Sequence, residues 1–145
     1  MNEAIAAAVD VLMSLVERTE HARFELAGVK ACDGVALLFY RPVDATSSDD
    51  ATAFAVLLEE ESPSQWEALG ASSLWPGGYR AVSMRPSERG DWIVAIYGSA
   101  PAEARVALLA YEGVERRLPV ESGFYAFMTR VATEPEPTMT RPRFE

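Results

Sequence analysis

The sequence predicts a mainly β protein with one N-terminal α-helix. A single helical stripe of apolar residues opens the chain, and the runs that follow alternate with a period of two between glycine-containing turns. Because several of these runs are apolar on both faces, we expect an antiparallel β-sandwich or a strongly curved sheet. The alternative is an α+β fold in which one antiparallel sheet wraps the helix.

Length and composition agree with a globular protein. The chain has 145 residues, of which 49% are hydrophobic and 24% are charged, and these are ordinary proportions for a packed domain. We expect a single globular domain over residues 1–131. Residues 132–145 are predicted to form an extended, proline-rich arm, because they contain three prolines and no hydrophobic period.

The first element is a helix predicted over residues 3–19. Its apolar residues recur every three or four positions, which is the spacing of one helix face. They are Ile5, Val9, Leu12 and Val16. Asn2 is a suitable N-cap, and Glu3 suits the positive end of the helix dipole. The helix therefore has one face to bury against the rest of the protein.

A β-hairpin is predicted over residues 22–42. Phe24 and Leu26 alternate with charged residues, and the pair Asp33-Gly34 separates them from a second apolar run. Such a pair favours a type I′ turn, which needs a positive φ angle at both central residues. Three further strands are predicted over residues 53–58, 79–84 and 92–97. Residues 62–74 are compatible with either a helical turn or a short edge strand.

The last third of the chain predicts a meander of three antiparallel strands. The strand-length runs cover residues 106–111, 114–120 and 124–131, and two-residue dividers that end in glycine separate them. Pro119 has no backbone N–H and therefore places the middle strand at a sheet edge. The apolar runs at 35–39 and 107–110 belong to the middle of sheets.

Charge and cysteine content exclude several classes of function. The chain carries 13 basic and 22 acidic residues, so its field repels phosphate backbones and we expect no nucleic-acid partner. Cys32 is the only cysteine, which rules out an intrachain disulfide. The apolar start is short and interrupted by Asp10, so we expect no membrane insertion. A cytoplasmic location is predicted, and the alternative is a soluble domain of an exported or membrane-anchored protein.

No residue pattern indicates catalysis, a cofactor or a metal. His21 is the only histidine and is read as a residue near a helix C-terminus rather than as a general base. Cys32 precedes Asp33, whose charge disfavours a thiolate, so an idle thiol is expected. A loop with Asp44, Asp49 and Asp50 lacks the ligand spacing of a calcium site. The glutamates at 59–61 are read as solubilising charges at a strand end. We therefore predict no enzyme activity, no cofactor and no metal.

One feature points to binding, and it is aromatic. The predicted aromatic rim consists of Trp66, Trp75, Tyr79 and Trp92, which lie in or beside the irregular segment 62–79 or at the start of the next strand. Large aromatic side chains near loops anchor interfaces and ligand pockets. The structural interpretation is that they cover the open end of a sheet core. If this chain binds a partner, the rim is where we expect the contact.

Residues 93–130 resemble a pattern found in uncharacterised bacterial β-sandwich accessory domains. The pattern is a strand ending in Tyr97-Gly98, a run from 104 to 111, Glu112-Gly113, and Leu118-Pro119-Val120 leading to Gly123-Phe124-Tyr125. The resemblance covers about a quarter of the chain. It implies a β-rich accessory domain without known catalysis.

Three functions are consistent with these observations, in this order. The first is a non-enzymatic interaction or regulatory domain that binds a protein partner or a second copy of itself through the aromatic rim or a sheet edge. The second is a carrier that holds a small apolar ligand between helix and sheet. The third is an enzyme whose site is built from carboxylates, which requires buried acids close to each other or to His21.

Overall fold

The computed structural model describes residues 2–19, 24–43, 53–86, 90–136 and 141–145, and of 12–19 the backbone alone. These residues form one helix and ten strands arranged in three antiparallel sheets. The mainly β class with one N-terminal helix is therefore confirmed. The elements are α1 (Asn2–Thr19), β1 (Phe24–Cys32), β2 (Val35–Pro42), β3 (Ala53–Ser62), β4 (Gln65–Leu74), β5 (Tyr79–Met84), β6 (Trp92–Ser99), β7 (Val106–Tyr111), β8 (Val114–Pro119), β9 (Phe124–Val131) and β10 (Arg143–Phe144).

The chain divides into two compact units. The first unit comprises Met1–Pro76 and the second comprises Gly77–Glu145. Each unit has its own sheet system. The prediction of one domain over residues 1–131 stays a prediction.

The first unit is a helix packed on a four-stranded sheet of order β1-β2-β3-β4. The helix begins at Asn2, so the expected N-cap residue lies inside the first turn. Its buried face includes Ala4 and Ala8, which are fully inaccessible to solvent. These small side chains let the helix approach strands β3 and β4 closely. Within this unit the arrangement is that of the α+β alternative, a helix on one antiparallel sheet.

The predicted hairpin is confirmed as β1 and β2, which pair in antiparallel fashion. Asp33 has a φ angle of 50° and Gly34 one of 74°, so both central residues of the turn occupy the left-handed region that a type I′ turn needs. The ambiguous stretch after residue 62 is β4, an edge strand paired with β3. Both β2 and β3 are buried on both faces for six consecutive residues, as expected for central strands.

The second unit contains two three-stranded sheets, of order β5-β6-β9 and β10-β7-β8. Side chains from both sheets form one apolar cluster: Val94, Ile96, Leu109 and Tyr111, with Leu118, Phe127 and Val131 packed against them. Two sheets that share a core in this way are a small sandwich, so the favoured architecture describes this unit.

The predicted meander of the last third is wrong in one pairing. Strands β7 and β8 form a hairpin through Glu112-Gly113, but β9 pairs along its whole length with β6 instead of with β8. Ser122-Gly123 does make a tight turn, and Glu121 and Phe124 exchange backbone hydrogen bonds of 2.9 and 3.0 Å across it. Because Pro119 ends β8 and cannot donate to a ladder, the pairing stops at this single bridge.

The end of the predicted arm is a strand. Arg143 and Phe144 pair with Leu108 and Ala107 of β7, and the main chain of Glu145 exchanges hydrogen bonds of 2.9 and 3.2 Å with Val106. Phe144 also packs edge-on against Tyr125 at a ring distance of 5.6 Å. The arm therefore covers one side of β7, and β7 becomes a central strand as its apolar sequence predicts.

Candidate functional site

The four residues of the predicted aromatic rim lie at strand ends. Trp66 and Trp75 belong to the first unit and are separated by the length of β4, and Tyr79 and Trp92 lie at opposite ends of the β5–β6 ladder in the second unit. A strand advances about 3.3 Å per residue, so nine residues of β4 span roughly 30 Å. Within neither unit do the two aromatic side chains lie side by side.

The three tryptophans of the rim have distinct environments. Trp66 is half-buried and packs on the core between helix and sheet, which fits the structural interpretation. Trp92 is half-buried, with the guanidinium carbon of Arg85 5.6 Å from its ring centroid, a cation–π distance. Trp75 is 54% exposed, the highest value among the large apolar residues that the structure describes as exposed. The rim as a binding site stays a prediction.

The edges of the first unit's sheet form the second kind of candidate surface. Strands β1 and β4 each pair on one side only among the described residues, and they are nine and ten residues long. The outer side of such a strand presents backbone N–H and C=O groups that can accept another strand. Leu26 on β1 is 39% exposed, so β1 combines an open edge with an accessible apolar side chain.

A bulge at Ala27 determines which way the side chains of β1 point. Leu26 is opposite Tyr40, whereas Gly28 is opposite Phe39, so Ala27 is an extra residue in β1. Tyr40 belongs to the core beneath the helix, and residues directly opposite each other share a face. Leu26 and Val29 therefore lie on the helix side of the sheet.

The same bulge places the two charged residues of β1 together on the opposite face. Glu25 is opposite Arg41, and Lys30 is opposite Leu37. Arg41 and Leu37 are four residues apart on β2 and share a face. In a regular strand Glu25 and Lys30, five positions apart, would point to opposite sides. The alternation of residues in a regular strand does not predict that Glu25 and Lys30 share a face. The signal in the sequence is that the apolar residues Leu26 and Val29 are three positions apart, an odd number, instead of two or four.

An acidic cluster lies at the β3–β4 turn. Glu59 is directly opposite Glu67, and Glu61 forms a hydrogen bond with Glu67. That hydrogen bond, followed by the negative charge of Glu67, raises the pKa of Glu61. Like charges directly opposite each other on a sheet are destabilising. The solubilising role expected for residues 59–61 stays a prediction.

The candidate catalytic and metal-binding residues lie only partly within the described chain. His21 and the loop aspartates Asp44, Asp49 and Asp50 lie outside the described residues. Cys32 is exposed. The limited desolvation of its thiol, followed by the negative charge of the adjacent Asp33, raises the pKa of the thiol, which agrees with an idle thiol. Among the described residues no charged side chain is buried, and no group of three or more histidine, cysteine or acidic residues is placed to hold a metal.

Comparisons with known proteins identify no relative. No protein-family model matches the chain, and no curated protein or solved structure matches it significantly. The resemblance over residues 93–130 therefore stays a prediction. In the parts of the chain that the structure describes, no helix has the length and hydropathy needed to cross a bilayer.

Proposed function

We propose that this protein is a non-enzymatic interaction domain that binds its partner by adding a strand to the open sheet of its first unit. The observation that carries this proposal is the pair of long edge strands, β1 and β4, on one four-stranded sheet. Strand addition supplies main-chain hydrogen bonds over the whole ladder, and alternate side chains supply specificity. Neither the main-chain hydrogen bonds nor the side-chain contacts of such a complex need a catalytic group.

The two edges differ in how well they discourage non-specific pairing. β1 carries Lys30 and a central bulge, which are devices that limit edge-to-edge aggregation. β4 has no lysine, arginine or proline, although a shift in register at Leu69 interrupts its ladder. β4 also carries one charge, Glu67, whereas β1 carries charges of both signs, Glu25 and Lys30. A partner of β1 must match both signs as well as the bulge, which favours β1 as the specific contact.

Native mass spectrometry of the protein isolated from its own host tests this proposal. We expect a complex in the wild type, either with a second copy or with another protein. Leu26→Lys introduces a charge on β1, and Ala71→Lys does the same at an exposed position of β4. One of these variants should lose the complex, because an added lysine on an edge strand opposes pairing.

Ala110→Lys is the matched control, since Ala110 is exposed on β7 in the second unit and lies on neither edge. The complex should survive this change. A strictly monomeric wild type, or a complex that survives both edge variants, would contradict the proposal.

A further inference from the structure

We propose that the partner at β1 is a second copy of this chain, paired antiparallel so that Glu25 of each copy faces Lys30 of the other. This inference rests on the proposed function and specifies its partner. It follows from the side-chain pattern that the bulge at Ala27 creates on β1. Among the described residues no strand of this chain occupies the outer side of β1.

The register is defined by one rule: directly opposite residues in a ladder must share a face of the sheet. A twofold axis between Ala27 and Gly28 pairs Glu25 with Lys30 of the second copy, and both lie on the face opposite the helix. It also pairs Leu26 with the second copy's Val29, and both lie on the helix side. The facing rule also holds for Phe24 and the second copy's Ala31, which are opposite Pro42 and Ala36 on one face of β2.

Three other symmetric registers are less favourable. An axis through Lys30 places the two lysines opposite each other, and an axis through Glu25 does the same with the two glutamates. Like charges at directly opposite positions oppose pairing. An axis between Gly28 and Val29 places those two residues opposite each other although they point to different faces. The Glu25–Lys30 register brings unlike charges together twice.

Apolar contact adds to this charge complementarity. Leu26 is 39% exposed and Val29 is half-buried, and in the proposed register each covers the other across the twofold axis. Burial of accessible apolar surface favours association. The two four-stranded sheets then form one continuous sheet of eight strands, with β1 and its symmetry mate at the centre.

The opposite edge of the sheet does not offer this match. Glu67 is the only charged residue of β4, so no register of β4 against itself brings unlike charges together. Two copies of the first unit also repel each other, because each contains 13 acidic and only 4 basic residues. A self-association through β4 would have to overcome that repulsion without a compensating ion pair.

A charge-swap experiment tests the register. Sedimentation velocity of the full chain over the micromolar range, at about 150 mM salt where the Debye length is about 8 Å, measures the dimer dissociation constant. Lys30→Glu and Glu25→Lys each turn two attractive pairs into repulsive ones, so each should weaken the dimer about tenfold or more. The double variant carrying both changes should regain most of the lost affinity. The remaining loss comes from the repulsion that Glu25→Lys creates with Arg41 on β2 of the same chain.

Two controls separate a charge effect from loss of fold. Arg105→Glu and Glu103→Lys change the net charge by the same amounts at exposed positions of the second unit, and they should leave the dimer intact. Circular dichroism of each variant confirms that the strands are retained. Rescue by the double variant is not expected if the single changes merely unfold β1.

The outcomes distinguish this inference from the proposed function. A dimer that tolerates both single variants, or whose double variant is not rescued, overturns the proposed register. A wild type that stays monomeric over the micromolar range overturns the second-copy inference. In that case a hetero-complex sensitive to Leu26→Lys or Ala71→Lys in the mass spectrum would still support the proposed function.

Discussion

Tyr40 places a polar group in an apolar interior. Its side chain is 3% exposed in the core between helix and sheet, and its hydroxyl has no hydrogen-bond partner among the residues that the structure describes. Burial raises the pKa of this phenol, so it remains protonated at neutral pH. A buried hydroxyl without a partner costs roughly 1–3 kcal/mol of desolvation that folding does not recover.

Tyr40→Phe should therefore raise the free energy of unfolding by about 1 kcal/mol, because it removes the unpaired hydroxyl and keeps the ring. Urea denaturation measures the change. Tyr40→Leu serves as a control and should lose about 1–3 kcal/mol, since it leaves a cavity in the same core. A Tyr40→Phe variant that is clearly less stable than the wild type would show that the hydroxyl is bonded.

Glu61 and Glu67 make stability depend on pH. The pKa of Glu61 is raised above its ordinary value of 4.5 in the folded state, so the folded protein binds its proton more tightly than the unfolded chain does. Protonated Glu61 therefore stabilises the folded protein at pH values below its ordinary pKa. This stabilisation is lost as pH rises through the raised pKa of Glu61 in the folded state.

We expect Glu67→Gln to gain stability relative to the wild type as pH rises from about 4 to about 7. Urea midpoints measured across this range provide the comparison. Glu60→Gln removes one negative charge from a neighbour that is not hydrogen-bonded to Glu61, and its gain should be smaller. A wild type and Glu67→Gln whose pH profiles run parallel would contradict the account of the pair.

At the scale of elements, short turns and central strands could be predicted because their causes are local. Asp33, Gly34 and Gly113 adopt positive φ angles, which glycine, asparagine and aspartate accept more readily than other residues do. Glu112 adopts one as well, and Gly113 beside it is the local signal of that turn. The partner of β9 could not be predicted, because pairing with β6 depends on contacts distant in sequence. The sequence of β4 does not distinguish a helical turn from a strand, because the half-exposed residues around Trp66 follow neither the helical period of 3.6 nor the strand period of two.

The turn at Gly113 offers a controlled test of this local cause. An added Cβ would meet no atom within 4 Å at either Gly113 or Gly70, but only Gly113 has a positive φ angle, 76°. Gly113→Ala should therefore lose about 1 kcal/mol of stability, whereas Gly70→Ala should stay within about 0.5 kcal/mol of the wild type. Thermal denaturation of both variants checks the difference, and equal losses would refute a conformational origin.

Residue types alone identify candidate binding residues but do not predict how these residues are arranged in the structure. The aromatic residues of the predicted rim are recognisable in sequence. In the first unit, however, the length of β4 separates Trp66 from Trp75, and in the second unit the length of the β5–β6 ladder separates Tyr79 from Trp92. Glu25 and Lys30 carry no motif at all. Their alignment on one face depends on the bulge at Ala27, and one extra residue reverses every later side chain of the strand.

At the scale of the whole molecule, charge is divided unequally. The first unit contains 13 acidic and 4 basic residues, and the second contains nine of each, so the net charge of −9 belongs to the first unit. This is the unit whose open edges we assign to partner binding. Two such units attract each other only where unlike charges are brought into register, so the pairing that we propose at β1 is specific rather than general.

Hydrogen–deuterium exchange at two protein concentrations tests the central claim most directly. If two copies pair through β1, backbone amides within residues 24–31 should exchange more slowly at high concentration, because their outward N–H groups become hydrogen-bonded across the twofold axis. Amides of β4 should exchange at the same rate at both concentrations. Exchange of β1 that is independent of concentration, or protection that appears on β4 instead, would contradict the account.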